Sequence, residues 1–351
     1  MILQRRSKRE KIETDPQARC LAERLAGLPL ALATAGAFLQ HSTITFERYL
    51  QEYELRWNID PRRPTRLEDY QNRTLFTTWD LSYSRVKEID HDAAQLLKLI
   101  AYFSNQSLWH GLFHAGLTET SPQWLHNVVD NDISFDSAMR TLTDHCFLEV
   151  QTSMSSWSMH ICVHDWTLTV FNKDIDPQQY QYAFDCVAGS IPSDILDSLG
   201  HPSFSRLSAH ATRLVHQRFL QNNMLDGVLP DKIDNILNIA SLLHQQVQFV
   251  AAEEMYQRAL AGYKKALGPD HTSTLTTVNN LGVLYRNQGK LKEAEEMYQQ
   301  ALAGREKALG PGHTSTLNTV NNLGILYWNQ GKLEESEEML QQGWLTTPNF
   351  C

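Results

Sequence analysis

Four places in this 351-residue chain combine residue types that could do chemistry, and they point to different kinds. Gly282 and Gly289-Lys290 suggest the phosphate cradle G-x-x-x-x-G-K-[ST], in which backbone N–H groups and a lysine hold phosphate oxygens. Six residues separate those glycines where four are needed, and Leu291 stands where the hydroxyl belongs. No other run in the chain fits that pattern, so this one is a decoy. His110 and His114, in HGLFH, share a helix face at i, i+4 spacing and could form a metal pair, but no third ligand stands near them. His164-Asp165 is worth little alone, because most such pairs are surface groups, and no Ser-His-Asp or Cys-His arrangement has a local signature. Asn279-Asn280 and Asn321-Asn322 are different. A primary amide donates and accepts hydrogen bonds at once, which suits holding a peptide backbone and not transforming one.

The two Asn pairs lie at matching places in a near-duplicate. Residues 251–292 and 293–334 align without a gap at a period of 42, with 33 of the 42 positions identical, and a weaker first copy starts at Asn238. A fixed period in this range marks a stacked array of repeats. Each copy encodes two helices. Val278, Leu281, Gly282 and Tyr285 fall at i, i+3, i+4, i+7, and Leu291, Ala294, Tyr298, Ala301 and Leu302 line one face of the second helix. Gly282, Ala294 and Ala301 permit close approach, Gly289 marks the turn, and Gly310-Pro311 ends the pair.

Bulk composition narrows the classes. Net charge is −9, against coating nucleic acid or an anionic membrane. No run of 18 apolar residues is present, and MILQRRSKREKIE lacks the apolar core of a signal peptide. Arg5-Arg6-Ser7-Lys8-Arg9 could be a nuclear address or a phosphate contact, but reads best as the solvated tail of a domain cut short. Cys20, Cys146, Cys162, Cys186 and Cys351 are scattered and odd in number, which fits a reducing, cytoplasmic compartment and no zinc site.

Upstream, residues 16–26 form an amphipathic helix ended by Gly27, and Pro29 opens an apolar, buried helix to Gln40. Residues 58–72 are polar and Pro-bearing, as in a linker. Helices are expected at 73–86, 92–103, 107–116, 122–130 and 134–145, then strand-like runs at 146–151 and 157–162. That bundle closed by a hairpin is the plan of a winged helix. Residues 173–202, with Pro177, Pro192 and Pro202, form a connector.

These motifs carry three family resemblances. The repeats resemble the tetratricopeptide repeat over roughly 236–342: Val278, Leu281-Gly282, Tyr285, Gly289, Ala294, Tyr298 and Ala301-Leu302 meet its pattern. The text GP-HTSTL-TVNNLG-LY-NQGKL is similar to the kinesin-light-chain variety, with Thr272 and Thr314 where that variety usually has Pro after the His. Gly27-Leu28-Pro29-Leu30-Ala31 resembles the GLPLA motif of NB-ARC domains, as do AFLQHSTITFERYL and RTLFTTWDLSYSRV of their fungal NOD-like receptor members. Val163-His164-Asp165, placed after the hairpin, resembles the MHD motif of the same family, with Val for Met.

The resemblance implies a mostly α fold. It places the helical end of an NB-ARC module at 1–57, a winged helix at 73–172, a helical connector at 173–235, and about three tetratricopeptide repeats at 236–342, the last incomplete. It implies that Pro29 packs near an adenine and His164 approaches the β-phosphate of ADP. ADP or ATP is expected only if a P-loop subdomain precedes this chain, which would then begin inside the second NB-ARC subdomain as a truncated gene product or a remnant. In the repeat family the inner face of the first helix lines a groove. By register that face holds Asn279, Asn280, Val283, Arg286 and Asn287, then Asn321, Asn322, Ile325, Trp328 and Asn329; the alternative is that the Asn pairs only cap and space helices.

The functional expectation is a non-catalytic signalling scaffold whose groove holds a protein or peptide. The incomplete last repeat offers a surface for self-association. The alternatives are a nucleotide switch, if the P-loop exists, and a kinesin-light-chain-like cargo adaptor, which the absence of a heptad coiled coil disfavours. DNA binding through 136–146 is disfavoured because Arg140 faces Asp136 and Asp144.

Overall fold

A computed structural model describes residues 2–10, 12–59, 67–152, 155–192, 202–215 and 232–345. The chain divides into two compact units, 1–186 and 187–351. Both are helical, and among the described residues the one sheet is a two-stranded hairpin.

The first unit begins with α1 (Ile2–Ser7), α2 (Pro16–Arg24), α3 (Pro29–Gln40), α4 (Phe46–Ile59) and α5 (Leu67–Ile89). Asp15 starts α2 by accepting the N–H groups of Gln17 and Ala18, at 2.8 and 3.4 Å. The helix ends in a reversal whose Gly27 N–H reaches back to the Ala22 carbonyl at 3.1 Å, the bond of a Schellman stop. Pro29 then opens α3, where its fixed φ suits the first turn. Eight residues of α3 are buried, with Ala35 and Leu39 almost fully enclosed. α3 packs on α1 and α5, and Leu3, Leu21, Phe38, Tyr49 and Leu81 share its core.

Two expectations fail here. The basic N-terminus is not a solvated tail: Leu3 and Ser7 are buried in α1 against α3, and Arg9 donates to the carbonyls of Leu39, Ser42 and Ile44 at 2.9, 3.3 and 2.6 Å. The expected linker 58–72 is helix wherever it is described, since α4 runs to Ile59 and α5 starts at Leu67; residues 60–66 lie outside the described residues.

The rest of this unit comprises α6 (His91–Ile100), α7 (His110–His114), α8 (Gln123–Val129), α9 (Asp132–Asp144), β1 (Glu149–Gln151), β2 (Ser156–Ser158) and α10 (Ile161–Val170), with α11 (Pro177–Gly189) crossing the boundary. β1 and β2 pair antiparallel, Val150 opposite Trp157, and Trp157 also bridges to Leu108. The second strand is shorter than expected: Ile161 and Cys162 already belong to α10, whose N-cap is the His160 ring, with Nδ1 accepting the Cys162 N–H at 3.2 Å. Helix 107–116 shrinks to 110–114 because Leu108 is held in that bridge. Trp166 anchors the core between Trp79, Phe147 and Phe171.

The second unit contains α12 (Pro202–Leu214) and three helix pairs. These are α13 (Ile233–Gln245) with α14 (Phe249–Leu267), α15 (Thr272–Asn287) with α16 (Leu291–Leu309), and α17 (Thr314–Gln330) with α18 (Leu333–Leu345). Both later copies start their first helix alike: His271 and His313 accept the N–H groups of Ser273 and Ser315 at 3.2 and 3.1 Å. Thr274 and Thr316 tie back to the Gly268 and Gly310 carbonyls at 2.8 and 2.9 Å. Inside each pair the fit is close. A Cβ on Gly282 would stand 2.7 Å from the Tyr298 ring, so only glycine fits there. Copies are clasped by Glu253, which takes Gln288 and Lys290, both at 3.1 Å, and by Glu295, which takes Gln330 at 2.9 Å and Lys332 at 3.1 Å.

Candidate functional site

The inner helices α13, α15 and α17 place their i, i+4, i+7 residues on one shared face. The period aligns Leu237, Ser241 and His244 with Asn279, Val283 and Arg286, and these with Asn321, Ile325 and Trp328.

Ten residues were expected on this face, and they have different fates. Asn279 is only 8% exposed. Its Oδ1 accepts from Thr319 Oγ1 at 3.3 Å and Asn322 Nδ2 at 3.2 Å, both on α17. It is therefore no groove residue: its amide joins one copy to the next. Val283 is half-buried and packs against a cluster drawn from its own copy and the next, Ala294, Tyr298, Leu323, Leu326 and Tyr327. Asn280, Arg286 and Asn322 are half-buried. Asn287 is exposed, and its Nδ2 lies 2.9 Å from His244 Nε2. Asn321 and Asn329 are exposed, Ile325 is 45% exposed and Trp328 65%.

Two further residues complete the face. His244 sits at the place of Arg286 one copy earlier, and burial and then the Arg286 charge hold its pKa below the ordinary value. A neutral ring is the one that can accept from Asn287. The 42-residue alignment reveals His244, once the weak first copy is taken into the face. Arg305 reaches up from α16, 5% exposed, and donates to the Ser315 carbonyl and Thr319 Oγ1, both at 2.7 Å, and to Thr276 Oγ1 at 3.1 Å. Burial pushes its pKa down. One copy earlier the same positions are Tyr263 and Asp234, joined by a hydrogen bond. Arg305 is one of the nine positions at which the two long copies differ.

What remains open on the face is a strip of Asn287, Asn321, Ile325, Trp328 and Asn329, with Arg286 half-buried beside it. It offers amides, a guanidinium and two large apolar side chains on rigid helices. It holds no nucleophile with a base and so no means of bond making.

The residues implied in nucleotide contact do not form such a site by themselves. Pro29 is exposed at the first turn of α3. His164 is 3% exposed in α10, and its Nε2 lies 2.9 Å from the Phe103 carbonyl, the end of the α6 segment. That carbonyl takes up Nε2, and the sequence holds no G-x-x-x-x-G-K-[ST] run. Gly282 and Gly289 belong to a repeat helix and its turn. His110 is also engaged, with Nε2 2.7 Å from the Val129 carbonyl and Nδ1 2.5 Å from Asp132. Among the described residues no three His, Cys, Asp or Glu gather to hold a metal, and no helix is long and apolar enough to cross a membrane.

The repeats match a known family. The tetratricopeptide repeat family matches residues 232–307 and 275–343. A "nucleotide-binding leucine-rich repeat (NLR)-like protein" of Hyaloscypha variabilis is 27% identical over 285 residues, covering 76% of this chain and 26% of that protein. The chain thus spans about a quarter of that relative's length. Among solved structures, a Podosopora anserina putative kinesin light chain with nearly identical TPR-like repeats is 19% identical, covering 52% of this chain and 83% of that one, with a TM-score of 0.39. BtubC (BKLC) from P. vanneervenii is 18% identical, covering 49% and 65%, with a TM-score of 0.38. Residues 232–343 are tetratricopeptide repeats, and the chain is similar to an NLR-like protein.

Proposed function

We propose that this chain is a protein-interaction scaffold of a receptor-like signalling protein, with a peptide or protein segment held along the open strip of α15 and α17. The observation that carries the reading is Trp328, 65% exposed beside Ile325 at 45% on a helix whose other face is fully packed. A large aromatic on a rigid support, ringed by amides, is the residue type that dominates binding hot spots. The amides of Asn287 and Asn329 would fix the segment's backbone, and the two apolar side chains would take an apolar residue from it. Catalysis has no part in this reading. ADP or ATP enters it only through a P-loop subdomain outside these residues, and neither nucleic acid nor membrane is a partner.

Display of random peptides against the full chain tests this. Enrichment is expected on the wild type and lost on the Ile325→Ala, Trp328→Ala double variant. Equal enrichment on both, or none on either, sinks the proposal. The signalling role rests on the order of the Gly27–Ala31 motif, His164 and the repeats, together with the similarity to an NLR-like protein. The cargo-adaptor alternative accounts for the repeats but leaves that upstream order without a purpose.

A further inference from the structure

The first unit contains a cleft of about 370 Å³ that the proposed function does not use. It lies between the α3–α4 loop, α4 and α5. Ser42 contributes from the loop, Arg48 and Arg56 from α4, and Ser84 and Arg85 from α5. The loop is fixed from behind by Arg9, which binds the Leu39, Ser42 and Ile44 carbonyls and stacks on Phe46 at 5.1 Å.

Each guanidinium in the cleft has a carboxylate neighbour. Arg48 meets Glu52 at 2.5 Å, Arg56 meets Asp80 at 2.7 Å, and Arg85 meets Glu88 at 3.2 Å. The Arg56 and Arg85 contacts are single-pronged, through Nη1, and leave donors over. Arg56 Nε, Arg85 Nε and Ser42 Oγ are buried and make no hydrogen bond. Buried donors without acceptors are costly to the fold. The three come from three different elements, and a tetrahedral oxyanion, whose oxygens point in separate directions, suits such a spread of donors better than one flat carboxylate. The cleft's own lining carries three guanidiniums, Arg48, Arg56 and Arg85, against two carboxylates, Glu52 and Glu88, in a chain of net charge −9.

We propose that this cleft binds a phosphate group. Its volume exceeds a bare phosphate and leaves room for a small organic body, so a phosphorylated metabolite fits. It is separate from Pro29: the cleft lies past the other end of α3, about 16 Å along the helix axis at 1.5 Å per residue.

Calorimetry and thermal shift on the full chain would test this with inorganic phosphate, phenyl phosphate and acetate, all against chloride at equal ionic strength. Both phosphates should bind saturably and raise Tm, while acetate should do neither. Arg85→Gln should weaken phosphate at least 10-fold, and Ser42→Ala several-fold. Arg48→Gln is a second variant at the 59% exposed rim, where folding is safe, and it should also weaken binding. Phenyl phosphate binding tighter than phosphate assigns the cleft to a phosphorylated metabolite, and the reverse order assigns it to the free ion. A response equal to that of chloride, or one unchanged in all three variants, overturns the proposal.

Discussion

Helices α15 and α17 carry nearly the same text, TVNNLG-LY-NQ, and present it to different surroundings. Asn279 on α15 is enclosed and bonded to Thr319 and Asn322, whereas Asn321, its counterpart on α17, is exposed. Val283 is half-buried against the cluster between the copies; Ile325 is open. Arg286 is half-buried near His244, and Trp328 in its place is open. An identical residue thus stabilises the array in one copy and faces solvent in the next. The role belongs to the position in the stack, and two of the nine differences between copies, Val to Ile and Arg to Trp, make the open face more apolar.

The sharpest way to break this comparison is to remove a residue whose role is purely internal. Tyr298 is fully enclosed against Gly282. Tyr298→Ala should cost about 3–5 kcal/mol, read as a lower denaturation midpoint of the repeats. A shift no larger than that of a surface variant would mean the copies are not packed as described.

The next effect separates the two asparagines directly. Asn279→Ala removes the acceptor shared by Thr319 and Asn322 and should destabilise by about 1 kcal/mol. Asn321→Ala should stay within about 0.5 kcal/mol of the wild type. Equal losses at both would make the register wrong.

The contacts between copies should also be sensitive to acid. Burial alone would raise the carboxyls of Glu253 and Glu295, but the Gln288–Lys290 and Gln330–Lys332 bonds hold both below 4.5. His244 is held below 6.5 by burial and Arg286. All three bind protons more readily in the unfolded chain. Their contribution is therefore complete above pH 6.5 and declines as pH falls, first through His244 and then, below 4.5, through the glutamates. Tm measured from pH 8 to 4 should fall, and Glu253→Gln should flatten the acid end.

The smallest effect concerns the turns. Gly289 and Gly331 sit at φ 77°, and Val247 holds the matching place at φ 61° while 67% exposed. A β-branched residue in this left-handed region is strained. Val247→Gly should stabilise by about 1 kcal/mol, as a rise in Tm.

Much of this architecture can be read in the amino acids because it depends on local pattern. The period, the spacing of Val278, Leu281 and Tyr285, and the Gly27–Pro29 punctuation each specify a helix or its end. Asn279 was harder, because its fate depends on Thr319 and Asn322, some 40 residues away. Arg9 looked like a tail residue because its acceptors are carbonyls, which carry no side-chain signal. The end of β2 is not legible in the sequence because Ile161 and Cys162 suit a strand as well as the helix they begin.

The central claim is that Trp328 serves a partner and Asn279 serves the fold. Its direct test is the dissociation constant of one peptide selected on the full chain, measured with Tm for the wild type, Trp328→Ala and Asn279→Ala. Trp328→Ala should lose about 2 kcal/mol of binding, roughly 30-fold, at unchanged Tm, and Asn279→Ala should lower Tm with affinity nearly intact. Wild-type affinity in Trp328→Ala would contradict the account.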